Sequence, residues 1–205
     1  MATLYLMCCT WILRPPSRYF QASEGAQIRV IEGDLSIDGN LLLDWDEKWG
    51  SDGLIVTGNL TVSGSIINAS GDSGPFLLVG GQSSAHAIVG GGAELVFEGD
   101  AEVADIVIGH YNDGILEFGS NLTAPAVVTM DHYLVIDGEL DGRWFDVFDR
   151  DDKWSAFLDM RRAEFAIMEE DEWRGLDDAL FPVLKAGHSV LRPDLPPKEE
   201  YTRHW

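Results

Sequence analysis

Basic residues are what this chain most conspicuously lacks. Lys and Arg number 14 against 35 Asp and Glu in 205 residues, a formal charge of −21. The deficit is local as well as global: residues 24–140 carry 19 acids and two cations, Arg29 and Lys48. A field of that sign repels nucleic acid and anionic membrane, and it attracts basic partners at rates that fall with salt. Cysteine is scarce too. Cys8 and Cys9 are the only two, too close together for an ordinary disulfide and without metal-ligand spacing, which fits a reducing compartment. Long apolar runs are missing. Thr3–Leu13 is apolar, but no basic residue precedes it and it is too short to span a bilayer, so neither a signal peptide nor a membrane helix is expected. A cytoplasmic protein with no cofactor and no metal is the expectation.

What is present is a repeated phrase. Ile31-Glu32-Gly33-Asp34-Leu35-Ser36-Ile37 returns as Val56-Thr57-Gly58-Asn59-Leu60-Thr61-Val62. Looser copies surround Gly81, Gly99, Ser120 and Gly138, at intervals of 25, 23, 18, 21 and 18 residues. A period near 21 signals a solenoid. Between the glycines lie short alternating apolar pairs such as Leu54/Val56, Leu60/Val62, Leu95/Phe97 and Ile106/Ile108. Strands so short cannot bury themselves alone, but coils stacked about 4.8 Å apart bury a continuous column. The recurring glycines are expected to supply a positive φ at the corner. An ordinary β-sandwich also has short strands, but it does not explain the repeat.

The expected architecture is mainly β: a solenoid of about six short coils over 24–142, a capping strand within 1–23, and an aromatic-rich α-helical C-terminal cap and tail over 143–205. The first strand would run from Leu4 to Leu13 and stop at Arg14-Pro15-Pro16. In the cap, Asp151-Asp152 would start a helix running to about Glu169, and a second would cover Leu176 to Lys185 despite Pro182, with Gly187 as its stop. This region would lie as a lid on the C-terminal end of the column. Longer excursions interrupt the coils at Asp44–Asp52, Asn68–Gly74, Gly80–Gly92 and Gly109–Gly114, and such insertions collect on one face, often the binding face.

Most candidate chemistry fails on spacing. Gly71-Asp72-Ser73-Gly74-Pro75 looks like the nucleophile segment of trypsin-like proteases, but that family places its histidine upstream, and the first histidine here is His86. Asp44-Trp45-Asp46-Glu47-Lys48 begins like a calcium loop, yet Lys48 and Ile55 occupy ligand positions. Gly90-Gly91-Gly92 is a fragment of a repeat-type calcium site without its aspartate. His110-Tyr111-Asn112 and Asp131-His132-Tyr133 are 22 residues apart, about one coil, so His110 is expected near His132 and Tyr111 near Tyr133. Such a ladder is either structural or a recognition surface.

The Gly-Asp-Leu-x-Ile-x-Gly phrase resembles the bactofilins, bacterial polymer-forming cytoskeletal proteins, over roughly Ile28–Leu140. That resemblance implies a right-handed β-helix. The longer excursions, the Gly109–Gly114 loop and the aromatic C-terminal region depart from it. In overall pattern the chain is similar to acidic bacterial β-solenoid immunity proteins of polymorphic or secreted toxin systems. The implied function is non-enzymatic: binding a cognate toxin, typically a basic nuclease, and occluding its active site, as a monomer or in a 1:1 heterocomplex. Charge complementarity would come from Asp44, Asp46, Glu47, Asp52, Asp100, Glu102, Asp105 and Asp113. Trp45, Trp49, Tyr111 and Tyr133 would anchor, with His110, Asn112, Asp131 and His132 completing the surface. The alternative is a bactofilin-like structural scaffold; a β-helix carbohydrate enzyme ranks third, because the solenoid offers only Arg29 and Lys48 to acidic polysaccharide.

Overall fold

The structure is a computed structural model and describes residues 4–8, 26–45, 50–146 and 179–195. Each coil has three short limbs. The first limb is formed by β2 (Gln27–Ile31), β5 (Gly53–Val56), β8 (Phe76–Val79), β11 (Glu94–Phe97), β14 (Ile115–Phe118) and β16 (Tyr133–Ile136). The second begins with β3 (Leu35–Ile37), β6 (Leu60–Val62), β9 (Ser83–Ala85) and β12 (Ala101–Val103). The third begins with β4 (Leu41–Leu42), β7 (Ile66–Ile67), β10 (Ile88–Gly90) and β13 (Ile106–His110). In the last coils β15 (Leu122–Met130) and β17 (Leu140–Asp146) run through the second and third limbs without a break. Strands of successive coils pair in parallel, limb upon limb. The six first-limb strands amount to five full turns, and β17 continues a sixth coil. The chain is therefore the β-solenoid that its repeat implies.

Alternation explains the packing. Leu54 and Val56, Leu77 and Val79, Leu95 and Phe97, and Leu116 and Phe118 point inward from successive first limbs and join one column with Leu60, Val62, Ile66, Ile88 and Val107. Each such burial stabilises by about 1.5–3 kcal/mol. Phe97 and Phe118 stack with ring centroids 5.2 Å apart. At the N-terminal end, β1 (Leu4–Cys8) pairs antiparallel with β2 and covers its edge. The rest of the expected N-terminal strand, and the helix expected over 151–169, lie outside the described residues.

The corner between first and second limbs shows what the repeated phrase does. Asp34 Oδ1 accepts the Asn59 backbone N–H at 2.7 Å, Asn59 Oδ1 accepts that of Gln82 at 2.8 Å, and Asn121 Oδ1 accepts that of Glu139 at 2.9 Å. Each Asp or Asn thus hydrogen-bonds the next coil. The glycines beside them have a different role from the expected one. Only Gly33 of that column has a positive φ, +90°. The others are needed because the coils approach closely: a Cβ on Gly58 would stand 2.5 Å from the Gly33 carbonyl carbon, and one on Gly138 would stand 2.5 Å from that of Ser120.

The C-terminal region also departs from expectation. Its described part, 179–195, lies along the flank of the column rather than on its end. The outward side chains of the third limb, Ile67, Val89, Ile108, Val128 and Phe145, pack against Leu180, Phe181, Leu184, Val190 and Leu191. The helix α1 (Phe181–Lys185) carries Pro182 in its first turn. Gly187 stops it at φ +74°, as expected. Its final carbonyls are held by the column: Asn40 Nδ2 donates to Lys185 O at 2.7 Å and Ser65 Oγ to Leu184 O at 3.0 Å. Two coils further on, Asp105 accepts the Val190 backbone N–H at 2.9 Å and the Ser189 hydroxyl.

Candidate functional site

The corner between third and first limbs gathers three of the expected excursions, Asp44–Asp52, Asn68–Gly74 and Gly109–Gly114; the fourth, Gly80–Gly92, is instead regular coil that carries β9 and β10. Its floor is built by Asp44 and Asn68. Asp44 Oδ1 accepts the backbone N–H groups of Ala69 and Ser70, both at 2.9 Å, and the Asn68 amide at 3.1 Å. Asn68 is fully buried; its amide also donates to Leu43 O at 2.9 Å, and its Oδ1 accepts from Gly91 N at 3.2 Å and Ala93 N at 2.8 Å. These two side chains fasten three coils together.

Glycines then let loops cross. Side chains at Gly91 and Gly92 would collide with the Ser70 and Gly71 carbonyls, and one at Gly114 with the Gly91 carbonyl. The Gly90-Gly91-Gly92 run is a close-approach surface, and the second-coil loop folds across it. Tyr111 consequently reaches Gly71, where an added Cβ would lie 2.8 Å from its ring. Trp45 Nε1 donates to Ser73 Oγ at 2.8 Å. His132 Nδ1 donates to Tyr111 O at 2.7 Å, and Tyr133 follows it directly. Contacts thus link Trp45, Ser73, Gly71, Tyr111 and His132, and the row ends at Tyr133.

Among the described residues the exposed large apolar side chains are Trp45 at 52%, Tyr111 at 43% and Tyr133 at 46%, all on this one corner. Tyr111 and Asp131 hold positive φ, 76° and 48°. For a bulky tyrosine this is a strained backbone, retained where surrounding structure fixes it. Asp72, Asp113 and Asp131 are exposed along the same edge, with Asn112 between. Within the described solenoid, 26–45 and 50–146, the Lys and Arg residues are Arg29 on β2 and Arg143 on β17, neither at this corner.

The histidines sit beneath the edge and face different ways. His110 is register-paired with Met130, and its outward ring lies under Phe181, with centroids 5.1 Å apart; His132 is nonetheless its neighbour, as the 22-residue spacing implies. His132 turns inward over Gly90, Gly109 and Gly114. Burial pushes the His110 pKa down from 6.5 to about 4, aided by neighbouring His132 and opposed by a hydrogen bond with the Asn68 backbone. Burial lowers His132 too, against hydrogen bonds with the Tyr111 and His110 backbones. Both rings are neutral at pH 7, so they do not offset the acids above them.

The other expected contact residues separate. Asp44 is nearly buried and consumed by its hydrogen bonds, and Asp105 is 3% exposed beneath the C-terminal segment, so neither presents charge to a partner. Asp100 lies on the opposite corner, its pKa lowered by hydrogen bonds from the Ser120 hydroxyl, then the Asn121 backbone, and by the Asn121 amide; Glu102 is exposed on the second limb beside it. Asp52 alone of these stays at the third-to-first corner, exposed directly before β5, where it accepts the Gln27 backbone N–H at 2.6 Å. Asp46, Glu47 and Trp49 lie outside the described residues. Asp72 belongs to the edge although the spacing argument discarded its segment as a protease-like turn; its place in the Asn68–Gly74 excursion was the available signal.

Among the described residues no group of three or more His, Cys, Asp or Glu side chains is placed to hold a metal. Nor is any described helix long and apolar enough to cross a membrane. No family model, curated protein or solved structure matches this chain.

Proposed function

We propose that the chain is a non-enzymatic, immunity-type inhibitor that binds a cognate bacterial toxin in the cytoplasm and covers its active site. A basic nuclease is the toxin class that suits it. The observation carrying this reading is the single corner that combines the exposed Trp45, Tyr111 and Tyr133 with Asp72, Asp113 and Asp131 and has no described Lys or Arg. Charge would govern encounter, while desolvated aromatics would set the lifetime of the complex. The test is co-purification with the product of the adjacent gene at about 50 and 500 mM salt, followed by association kinetics. A basic partner whose association slows strongly with salt supports the reading. Failure to recover a partner, or salt-independent association, removes it.

A second reading, a self-assembling scaffold, is favoured by the column ends. Leu35 and Ile37 at one end, and Leu134, Ile136 and Leu140 at the other, are only partly buried against the core. Among the described residues β3, β4 and β17 each have an edge without a strand partner. Open edges invite pairing between copies. A strictly monomeric species by light scattering at high concentration excludes this reading.

A further inference from the structure

Resting on the toxin-binding reading, we infer that the occupant of the aromatic corner is an extended, arginine-bearing segment of the partner, laid along the solenoid axis. The site follows one corner of the column from coil to coil. Trp45 lies at the corner that closes the first coil and Tyr133 at the corner that closes the fifth, so the row spans four coil spacings, about 19 Å at about 4.8 Å per coil. An extended chain rising about 3.3 Å per residue covers that distance in about six residues.

The chemistry of the row selects the cation. Aromatic rings and carboxylates are interspersed along it: Trp45, Asp72, Tyr111, Asp113, Asp131, Tyr133. A guanidinium stacks on an aromatic face and forks to a carboxylate at the same time, whereas an ammonium is a compact, strongly hydrated charge. The two histidines under the ridge are held neutral by burial and leave the negative field intact. The floor is rigid, since Asp44 and Asn68 fasten it and Gly71 supports the Tyr111 ring. Little ordering of the ridge is needed when the segment binds.

The probe is a fluorescein-labelled peptide of four Arg-Thr repeats, with four Lys-Thr repeats as comparison, titrated by anisotropy against the full chain at about 50 and 150 mM salt. The arginine peptide is expected to bind at one site and at least threefold more tightly than the lysine peptide. Trp45→Ala, Tyr133→Ala and Tyr111→Asn, the last chosen because asparagine tolerates the left-handed backbone, should each weaken it at least fivefold. Thermal melts establish that the variants fold. The triple variant Asp100→Asn, Glu102→Gln, Asp141→Asn, which removes charge from the opposite corner and second limb, should stay within twofold. Absence of arginine-peptide binding, equal affinity for the two peptides, or equal losses in ridge and control variants would overturn the inference. Those results leave untouched a toxin recovered by salt-sensitive co-purification; conversely, failure to recover a partner removes the toxin reading even where the peptide binds the ridge.

Discussion

Acid should loosen this protein through His110 before most of its carboxylates titrate. The ring is 5% exposed, lies against Phe181, and has no hydrogen-bond partner on Nε2. Its proton affinity falls from 6.5 to about 4 on folding. Below pH 6.5 the unfolded chain takes up a proton that the folded chain refuses, so stability drops as pH falls from 6.5 toward 4. At 1.36 kcal/mol for each tenfold change in proton affinity, the full loss is about 3 kcal/mol, with roughly 2.5 kcal/mol of it reached by pH 4.5. His132, lowered by the same desolvation, adds in the same direction. The assay is urea unfolding at pH 7.5 and 4.5, comparing the parent with His110→Phe, which keeps an aromatic ring beside Phe181 but cannot titrate. Contributions from carboxylates cancel in the comparison. The parent should lose about 2.5 kcal/mol more than the variant over that interval; an equal loss in both would mean that burial of His110 does not govern the acid response.

Three further outcomes follow from the packing. Asn68→Ala strips a fully buried side chain that serves Leu43 O, Gly91 N and Ala93 N, and should cost about 3 kcal/mol or more in thermal or denaturant unfolding; a loss under about 1 kcal/mol contradicts the network. Gly58→Ala forces a Cβ to within 2.5 Å of the Gly33 carbonyl carbon, and about 2 kcal/mol of destabilisation is expected from such overpacking, visible as a lower melting temperature. Asp105→Ala leaves the Val190 N–H and Ser189 hydroxyl without their acceptor. Hydrogen exchange should quicken in residues 179–195 while the inner strands stay protected, and unchanged exchange in that segment would refute the contact's role.

Architecture was readable because the solenoid repeats its constraints. Gly33-Asp34-Leu35 and Gly58-Asn59-Leu60 place a close approach, a coil-to-coil acceptor and an inward leucine in fixed order, and alternating pairs such as Leu60/Val62 carry the strand period. The cause of the glycines was harder to see, since a close approach by the neighbouring coil leaves the same residue signature as a positive φ. Site geometry was less legible for the same reason that coils vary in length. A spacing of 22 residues placed His110 near His132, as the structure has them, but not their facing: β13 pairs His110 with Met130, and Asp131 turns the chain before His132 enters the interior. Acidic side chains carry no mark of their exposure. Asp44 and Asp105 read like Asp113 in sequence, yet the first is fixed by backbone N–H groups and the second is covered by a segment 84 residues later.

The flank segment sets a length standard for the column. Its contacts reach Asn40 in the first coil, Ser65 in the second, Asp105 in the fourth and Phe145 in the sixth. A bare stack of coils tolerates gain or loss of a repeat, since each coil answers only to its neighbours. Here an inserted coil between Ser65 and Asp105 would lengthen that span by about 4.8 Å, and the five residues from Leu184 to Ser189 would have to stretch to keep both attachments. The segment acts as a gauge against which the coil count is checked, and it couples distant coils so that the column melts as one unit instead of fraying from its ends.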